Sequence, residues 1–202
     1  LEQYVGYKGP GFVEHDLREK AAAAGIELPP FQTEFLESKN WLKENVIKFA
    51  PVEVEDFIIY GIHEKDIPPS DKVTLRIYAA TAFGSEHQTT KSCLRAISHL
   101  NRLGAAHRNI LDMGTGSGIL ALAAAKLWPD AARITAVDID PEAVAVTRQN
   151  ARDNHLEKYL TVAVSNGYNS DLVRNNAPYD IIIANILARP LIEMAPQLNQ
   201  AL

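Results

Sequence analysis

The chain has 202 residues, 47% hydrophobic and 22% charged, with 11 Gly and 11 Pro. That composition excludes collagen-like, coiled-coil and wholly disordered chains, and a formal net charge of −5 argues against direct, charge-driven binding of nucleic acid. One cysteine, Cys93, excludes an internal disulfide framework or a thiolate metal cluster and favours a reducing, cytoplasmic setting. No apolar run approaches the roughly 20 residues that span a bilayer, so no membrane association is expected. Because the sequence opens on Leu1 rather than Met, a removed leader stays open.

Residues 1–80 are irregular and Pro-punctuated. Residues 17–24 read as a short helix stopped by Gly25, with Pro29 and Pro30 blocking its continuation. Asn40 is a candidate cap for a helix over 41–48. Short β-branched and aromatic runs follow at 52–54, 57–62 and 73–78, the last two separated by a turn at Pro68-Pro69-Ser70-Asp71. From residue 88 the pattern alternates. Residues 88–103 predict an amphipathic helix with Cys93, Ala96, Ile97, Leu100 and Leu103 on one face and Lys91, Arg95 and Arg102 on the other. Strands are predicted at 109–113, 133–137, 159–164 and 179–184, with helices at 118–127, from Asp140 to about Asn154, and at 190–202. Asp140-Pro141-Glu142 is a strong helix start: a capping carboxylate, Pro at the first position and an acid in the first turn. Strands alternating with helices imply right-handed βαβ units and a parallel sheet covered on both faces, an α/β class. Four such strands would leave an exposed edge, which suggests a piece of a longer protein.

Chemistry concentrates at three places. The first is Asp112-Met113-Gly114-Thr115-Gly116-Ser117-Gly118 between a strand and an apolar helix. Glycines at i, i+2 and i+4 let the backbone turn tightly and approach a ligand closely. Asp138 closes the next strand 24 residues after Gly114, where a carboxylate accepts from ribose hydroxyls; Asp140 is read as the helix cap. A dinucleotide-binding loop spaces its glycines G-x-G-x-x-G; the tighter G-x-G-x-G here, led by Asp112, suits a phosphate-free nucleoside whose amino group an acid can meet, namely S-adenosylmethionine. Second, the apolar strand of residues 181–183 runs into Ala184-Asn185-Ile186. At the carboxyl end of a strand, the Asn185 amide oxygen can accept from a substrate amine and aim its lone pair; a helix-capping role is the plain alternative. The third is residues 82–90, where Ser or Thr caps explain the sequence as well as a ligand loop does, and His87 is as readily a hydrogen-bonding residue as a base.

Residues 82–90, 111–118, 137–141 and 184–196 together resemble the bacterial methyltransferases of large-subunit ribosomal protein eleven, the stalk-base protein. The run from Ala184 through Asn185, Arg189 and Pro190 to Pro196 is the most specific of the four. The resemblance covers most of residues 40–200. It implies a Rossmann-like class I methyltransferase sheet preceded by a small α+β segment, S-adenosylmethionine as methyl donor, and N-methylation of Lys side chains and an N-terminal amine on the ribosomal protein. It places cofactor contacts at Thr90, Gly114, Asp138 and Asn185, beside the readings of Asp112, Gly116 and Gly118 above. It also implies three segments: 1–40 from a substrate-recognition domain, 41–87 as a linker with β-rich sequence, and 88–202 as the methyltransferase domain, lacking its last three strands. Two departures stand out. Phe83-Gly84-Ser85 runs straight into Glu86-His87, one Gly short of the family pattern, and Asn166 stands where many relatives carry an acid near the adenine, a candidate cofactor contact through its amide instead.

Methyl transfer from a sulfonium needs no metal, and no His/Cys/Asp cluster has ligand spacing. A Lys ammonium must first lose its proton, which an apolar crevice promotes. The expected catalysis is by positioning, with Asn185 holding the amine. Three alternatives stay open: a class I methyltransferase acting on another protein, RNA or a small molecule; an NAD-dependent oxidoreductase; and an inactive binding module.

Overall fold

A computed structural model of the chain describes residues 14–28, 30, 49–78, 87–104, 107–130 and 133–202. The helix expected over 41–48 and the loop at 82–86 lie outside them. The chain divides into two compact units, Leu1–Lys39 and Asn40–Leu202.

In the first unit, α1 spans Glu14–Ala23, starting three residues earlier than the sequence suggests. Its end is set by Gly25 at φ +68°, where a side chain would be strained. The Gly25 N–H bonds to the Ala22 carbonyl and the Ile26 N–H to the Ala21 carbonyl, at 3.1 and 2.9 Å, a paired closure that satisfies carbonyls the helix leaves open.

The second unit carries two sheets. In the smaller, β1 (Val52–Val54) pairs antiparallel with β2 (Phe57–Gly61), which pairs parallel with β3 (Val73–Ile77). The larger is built from β4 (Asn109–Met113), β5 (Arg133–Asp138), β6 (Leu160–Val164) and β7 (Ile181–Ile183). Its order is β6-β5-β4-β7 and every pair is parallel. Chain order therefore runs outward from β4 through β5 to β6, then returns to β7 on the opposite side of β4. This reversal makes the gap between the carboxyl ends of β4 and β7 the switch point at which open α/β sheets receive ligands.

Five helices and a short 3₁₀ turn join these strands: α2 (Gln88–Arg102), α3 (Ile119–Leu127), α4 (Pro141–Asp153), the turn Gly167–Asn169, α5 (Asp171–Asn176) and α6 (Ala188–Ala201). Side chains alternate across the large sheet. Ile110, Ile134 and Ala136 join a core with α2, α3 and the small sheet; Leu111, Met113 and Val137 join a second with Tyr168, Val173 and Tyr179. The segment Ile119–Ala125 of α3 is buried on every side, which is why that helix is almost wholly apolar. Full burial of a side chain such as Phe57 or Leu75 contributes about 1.5–3 kcal/mol. No described helix is long and apolar enough to cross a membrane.

The structure corrects the expected face of α2. Thr90, Leu94, Ile97 and Ser98 are buried, while Ala96 and Leu103 are exposed. The helix is rotated toward its small polar residues, because Thr90 meets a partner from the far end of the sheet, and Leu103 falls past the last helical turn. Helix α5 is an addition: at six residues it is too short to show periodicity, although Ser170 caps it by accepting from the Val173 N–H.

Candidate active site

The glycine loop crosses from β4 to α3 through three left-handed positions, Gly114 at φ +74°, Gly116 at +56° and Gly118 at +81°. They serve different ends. A Cβ on Gly114 would lie 2.2 Å from Cγ2 of Ile186, so this glycine lets the loop after β7 close against the loop after β4. A Cβ on Gly118 would lie 2.8 Å from Cγ2 of Thr147 on α4. A Cβ on Gly116 would meet nothing within 4 Å among the described residues, at the carboxyl edge of the sheet. The loop's carbonyls turn into the protein. Thr115 O accepts from the Gly118 N–H at 2.8 Å, Gly116 O from the Thr147 hydroxyl at 2.9 Å and Ser117 O from the Asn150 amide at 2.8 Å.

Asp138 ends β5 beside this loop. One carboxylate oxygen accepts from the Gly116 N–H at 2.9 Å and the other from the Asp140 N–H at 3.0 Å. Each oxygen keeps a further lone pair for a hydroxyl. Asp140 has the expected capping role, accepting from the Glu142 N–H at 2.9 Å with Pro141 opening α4.

Asp112 is 1% exposed. Its Oδ2 alone accepts from the Thr115 hydroxyl at 2.7 Å and from the N–H of Ala121, the third residue of α3, at 3.2 Å. Desolvation raises its pKa to about 6 against these two bonds, with the charge of Asp138 adding to the rise. Burial, with the same carboxylate adding to it, pushes the Cys93 thiol up.

Asn185 stands two residues past β7. Its Nδ2 donates to Oγ1 of Thr90 at 2.9 Å, across 95 residues of sequence. Thr90 itself is 1% exposed. The bond fixes the amide nitrogen on the Thr90 side and turns Oδ1 the other way, an acceptor on the β7 side of the switch point to which no described residue donates. Asn166 is exposed just past β6, heading the 3₁₀ turn, and the Ser165 N–H bonds to Asp138 O at 2.8 Å, which keeps the ends of β5 and β6 together.

The structure thus gathers Gly114, Gly116, Gly118, Asp112 and Asp138 around one loop and joins Thr90 to Asn185 beside it, with Asn166 on the same edge of the sheet. Sequence reasoning passed over Thr147 and Asn150, whose partners are main-chain groups. Their only signal was two polar residues three apart in a helix that is otherwise amphipathic.

The family description "Ribosomal protein L11 methyltransferase (PrmA)" matches residues 13–202. The chain belongs to that family. It is 42% identical over 170 residues to the ribosomal protein L11 methyltransferase of Rhizobium meliloti (strain 1021), covering 84% of this chain and 57% of the relative. To the protein of the same name from Agrobacterium fabrum (strain C58) it is 38% identical over 191 residues, covering 92% of this chain and 64% of the relative. The chain therefore spans roughly three fifths of the length of these two family members. A crystal structure titled ribosomal protein L11 methylase, from Lactobacillus delbrueckii subsp. bulgaricus, superposes with a TM-score of 0.61 at 30% identity, covering 76% of this chain and 75% of that one. The large sheet is accordingly the Rossmann-like sheet of the class I methyltransferases.

Proposed function

We propose that the chain binds S-adenosylmethionine at the glycine loop and serves an N-methyltransferase that acts on large-subunit ribosomal protein L11, at Lys side chains and the N-terminal amine. One observation carries the choice of cofactor. The chain's own Asp112 carboxylate already sits on the first turn of α3, where a dinucleotide fold would place a pyrophosphate, and Asp138 stands beside it. The carboxylates of Asp112 and Asp138, with no cation in residues 111–118, repel a phosphate and suit a ligand with a cationic amino group. That weighs against the oxidoreductase reading. The open side of Gly116 provides room for the nucleoside.

When bound, S-adenosylmethionine supplies a methyl group on a sulfonium, with a thioether as leaving group. In this reading Gly114, Gly116 and Gly118 give the backbone its close approach, Asp138 takes the ribose hydroxyls, Asp112 faces the amino group, and Asn166 contacts the adenine. Thr90, 1% exposed, contributes to the donor's pocket through Asn185, fixing which end of that amide faces outward. Asn185 Oδ1 then accepts an N–H of the neutral substrate amine and points its lone pair along the transfer line, which is catalysis by positioning. Residues 1–40 are read as part of the substrate-recognition region, and the cytoplasm as the setting.

Calorimetric titration of the chain with S-adenosylhomocysteine and, separately, with NADH tests the reading. Saturable binding of the first and none of the second is expected; the reverse overturns it. Mass spectrometry of ribosomal protein L11 after incubation with the full-length enzyme and donor then checks the substrate.

A further inference from the structure

Helix α4 and its C-cap carry three polar side chains on the buried side: Thr147 and Asn150, both 0% exposed, and the C-cap Asn154 at 6%. Interior Asn is poor helix chemistry, since its amide competes for backbone groups and it ranks low in helix propensity. Each must therefore have a tertiary partner. Thr147 and Asn150 hold consecutive loop carbonyls, Gly116 O and Ser117 O, as described above. The Asn150 side chain does more: its Oδ1 accepts from the Tyr78 N–H at 2.7 Å and its Nδ2 also donates to Tyr78 O at 3.2 Å. One amide thus ties the glycine loop to the end of β3. Asn154, one turn on, makes no bond to the glycine loop: it accepts from the Arg76 N–H at 2.9 Å and donates to Arg76 O at 2.6 Å and to Asn150 O at 2.8 Å.

Turning two successive carbonyls toward α4 has a consequence for the ligand side. The Gly116–Ser117 and Ser117–Gly118 peptide planes are thereby fixed. The second carries the Gly118 N–H, which donates to Thr115 O, and that carbonyl shares its plane with the Gly116 N–H bonded to Asp138; the loop is held in this shape with the Cα of Gly116 on its outer side. Released carbonyls would be free to rotate, and a rotated carbonyl oxygen would meet either the ligand or the Asp138 carboxylate. We propose that Thr147 and Asn150 are positioning residues for the cofactor: they act through the glycine loop, touch no ligand themselves, and set the shape of the cradle before anything binds. The proposal rests on the reading of that loop as an S-adenosylmethionine site.

Four variants of the full chain test it: Thr147→Val, Thr147→Ser, Asn150→Ala and Asn154→Ala. The readouts are S-adenosylhomocysteine affinity by calorimetry, thermal midpoint, and amide hydrogen exchange at Gly116 in the ligand-free protein. Losing one hydrogen bond of ordinary strength should weaken binding by about two- to tenfold in Thr147→Val, with Asn150→Ala at or above that range and Thr147→Ser close to wild type. Gly116 exchange should accelerate in Thr147→Val and Asn150→Ala. Asn154→Ala should lower the midpoint while leaving affinity and Gly116 exchange unchanged. Should Asn150→Ala fail to fold, Thr147→Val against Thr147→Ser decides. Unaltered affinity and exchange in folded Thr147→Val overturn the proposal, as does an affinity loss in Asn154→Ala that matches theirs. If wild type binds no S-adenosylhomocysteine, the functional reading fails instead, and Gly116 exchange still reports whether the two side chains hold the loop.

Discussion

Replacing Asp112 with Asn separates what this residue does for the fold from what it does for a ligand. Both of its hydrogen bonds fall on Oδ2, from the Thr115 hydroxyl and the Ala121 N–H. An Asn whose amide oxygen takes that place keeps both and removes a buried negative charge. Burial has raised the folded-state pKa from 3.8 to about 6. A raised carboxyl pKa means the folded protein holds its proton more tightly than the unfolded chain. The associated stability is complete below the unfolded pKa and is lost as pH rises through the folded one, here between 3.8 and about 6. At about 1.4 kcal/mol per pH unit, the ionised group costs about 3 kcal/mol at neutral pH, a ceiling on what the substitution can recover. For a chain of this size that is a rise in Tm of about 6–12 °C at most. Urea unfolding of both proteins at about pH 8 and about pH 4 measures it, and the difference between them should be large at the first and close to zero at the second. The free face of the side chain would turn from carboxylate to amide, so S-adenosylhomocysteine should bind about tenfold more weakly as stability rises, the cost of losing one charge-assisted bond. A variant less stable than wild type at the higher pH, or a stability gap that does not close on acidification, would refute the assignment of the buried charge.

Asn185→Ala should lower kcat of the full-length enzyme by about 100-fold, as misplacement of a reacting group does, while S-adenosylhomocysteine affinity stays within about threefold. Steady-state kinetics beside calorimetry check this, and equal losses would make Asn185 a binding residue only. Gly116→Ala adds a Cβ that meets no atom of the described residues within 4 Å. Its left-handed backbone costs about 1–2 kcal/mol of stability, yet cofactor binding should fall much further, because the methyl enters the cradle; denaturation and titration of one sample compare the two. Asp138→Ala removes the acceptor of the Gly116 N–H as well as the ribose partner, so affinity for S-adenosylhomocysteine should drop at least about 100-fold, and an unchanged titration would exclude the carboxylate from the site.

The parts of this site that were legible in the sequence are those whose chemistry is local. Three glycines at alternate positions after an apolar strand announce a backbone that turns through φ > 0, and Asp140-Pro141-Glu142 announces a helix start, because in both the interacting atoms lie within a few residues of one another. Strand order was not local, but alternation of strands with helices limited it to parallel crossovers, and the observed β6-β5-β4-β7 order is one of the few that such connections allow. What stayed hidden were buried polar residues with distant partners. Thr90 counts as polar in any periodicity, so the face of α2 was set by Cys93, Ala96 and Leu103 instead. The bond that buries Thr90 comes from Asn185, 95 residues away. Asn150 is hidden more deeply still, since its partners are main-chain atoms of Tyr78 and Ser117, which carry no side-chain signature at all. Asp112 lies between the two cases. Its position ahead of the glycines marked it as an acid for a ligand, and that pattern held no hint that one oxygen caps α3. A polar side chain pressed into a core is explained only by its partner, and an acid that serves the fold with one oxygen has the other left to serve a ligand. Thr90 and Asn185 divide the same labour across two residues: one is sealed in the core, and through it the amide of the other is aimed.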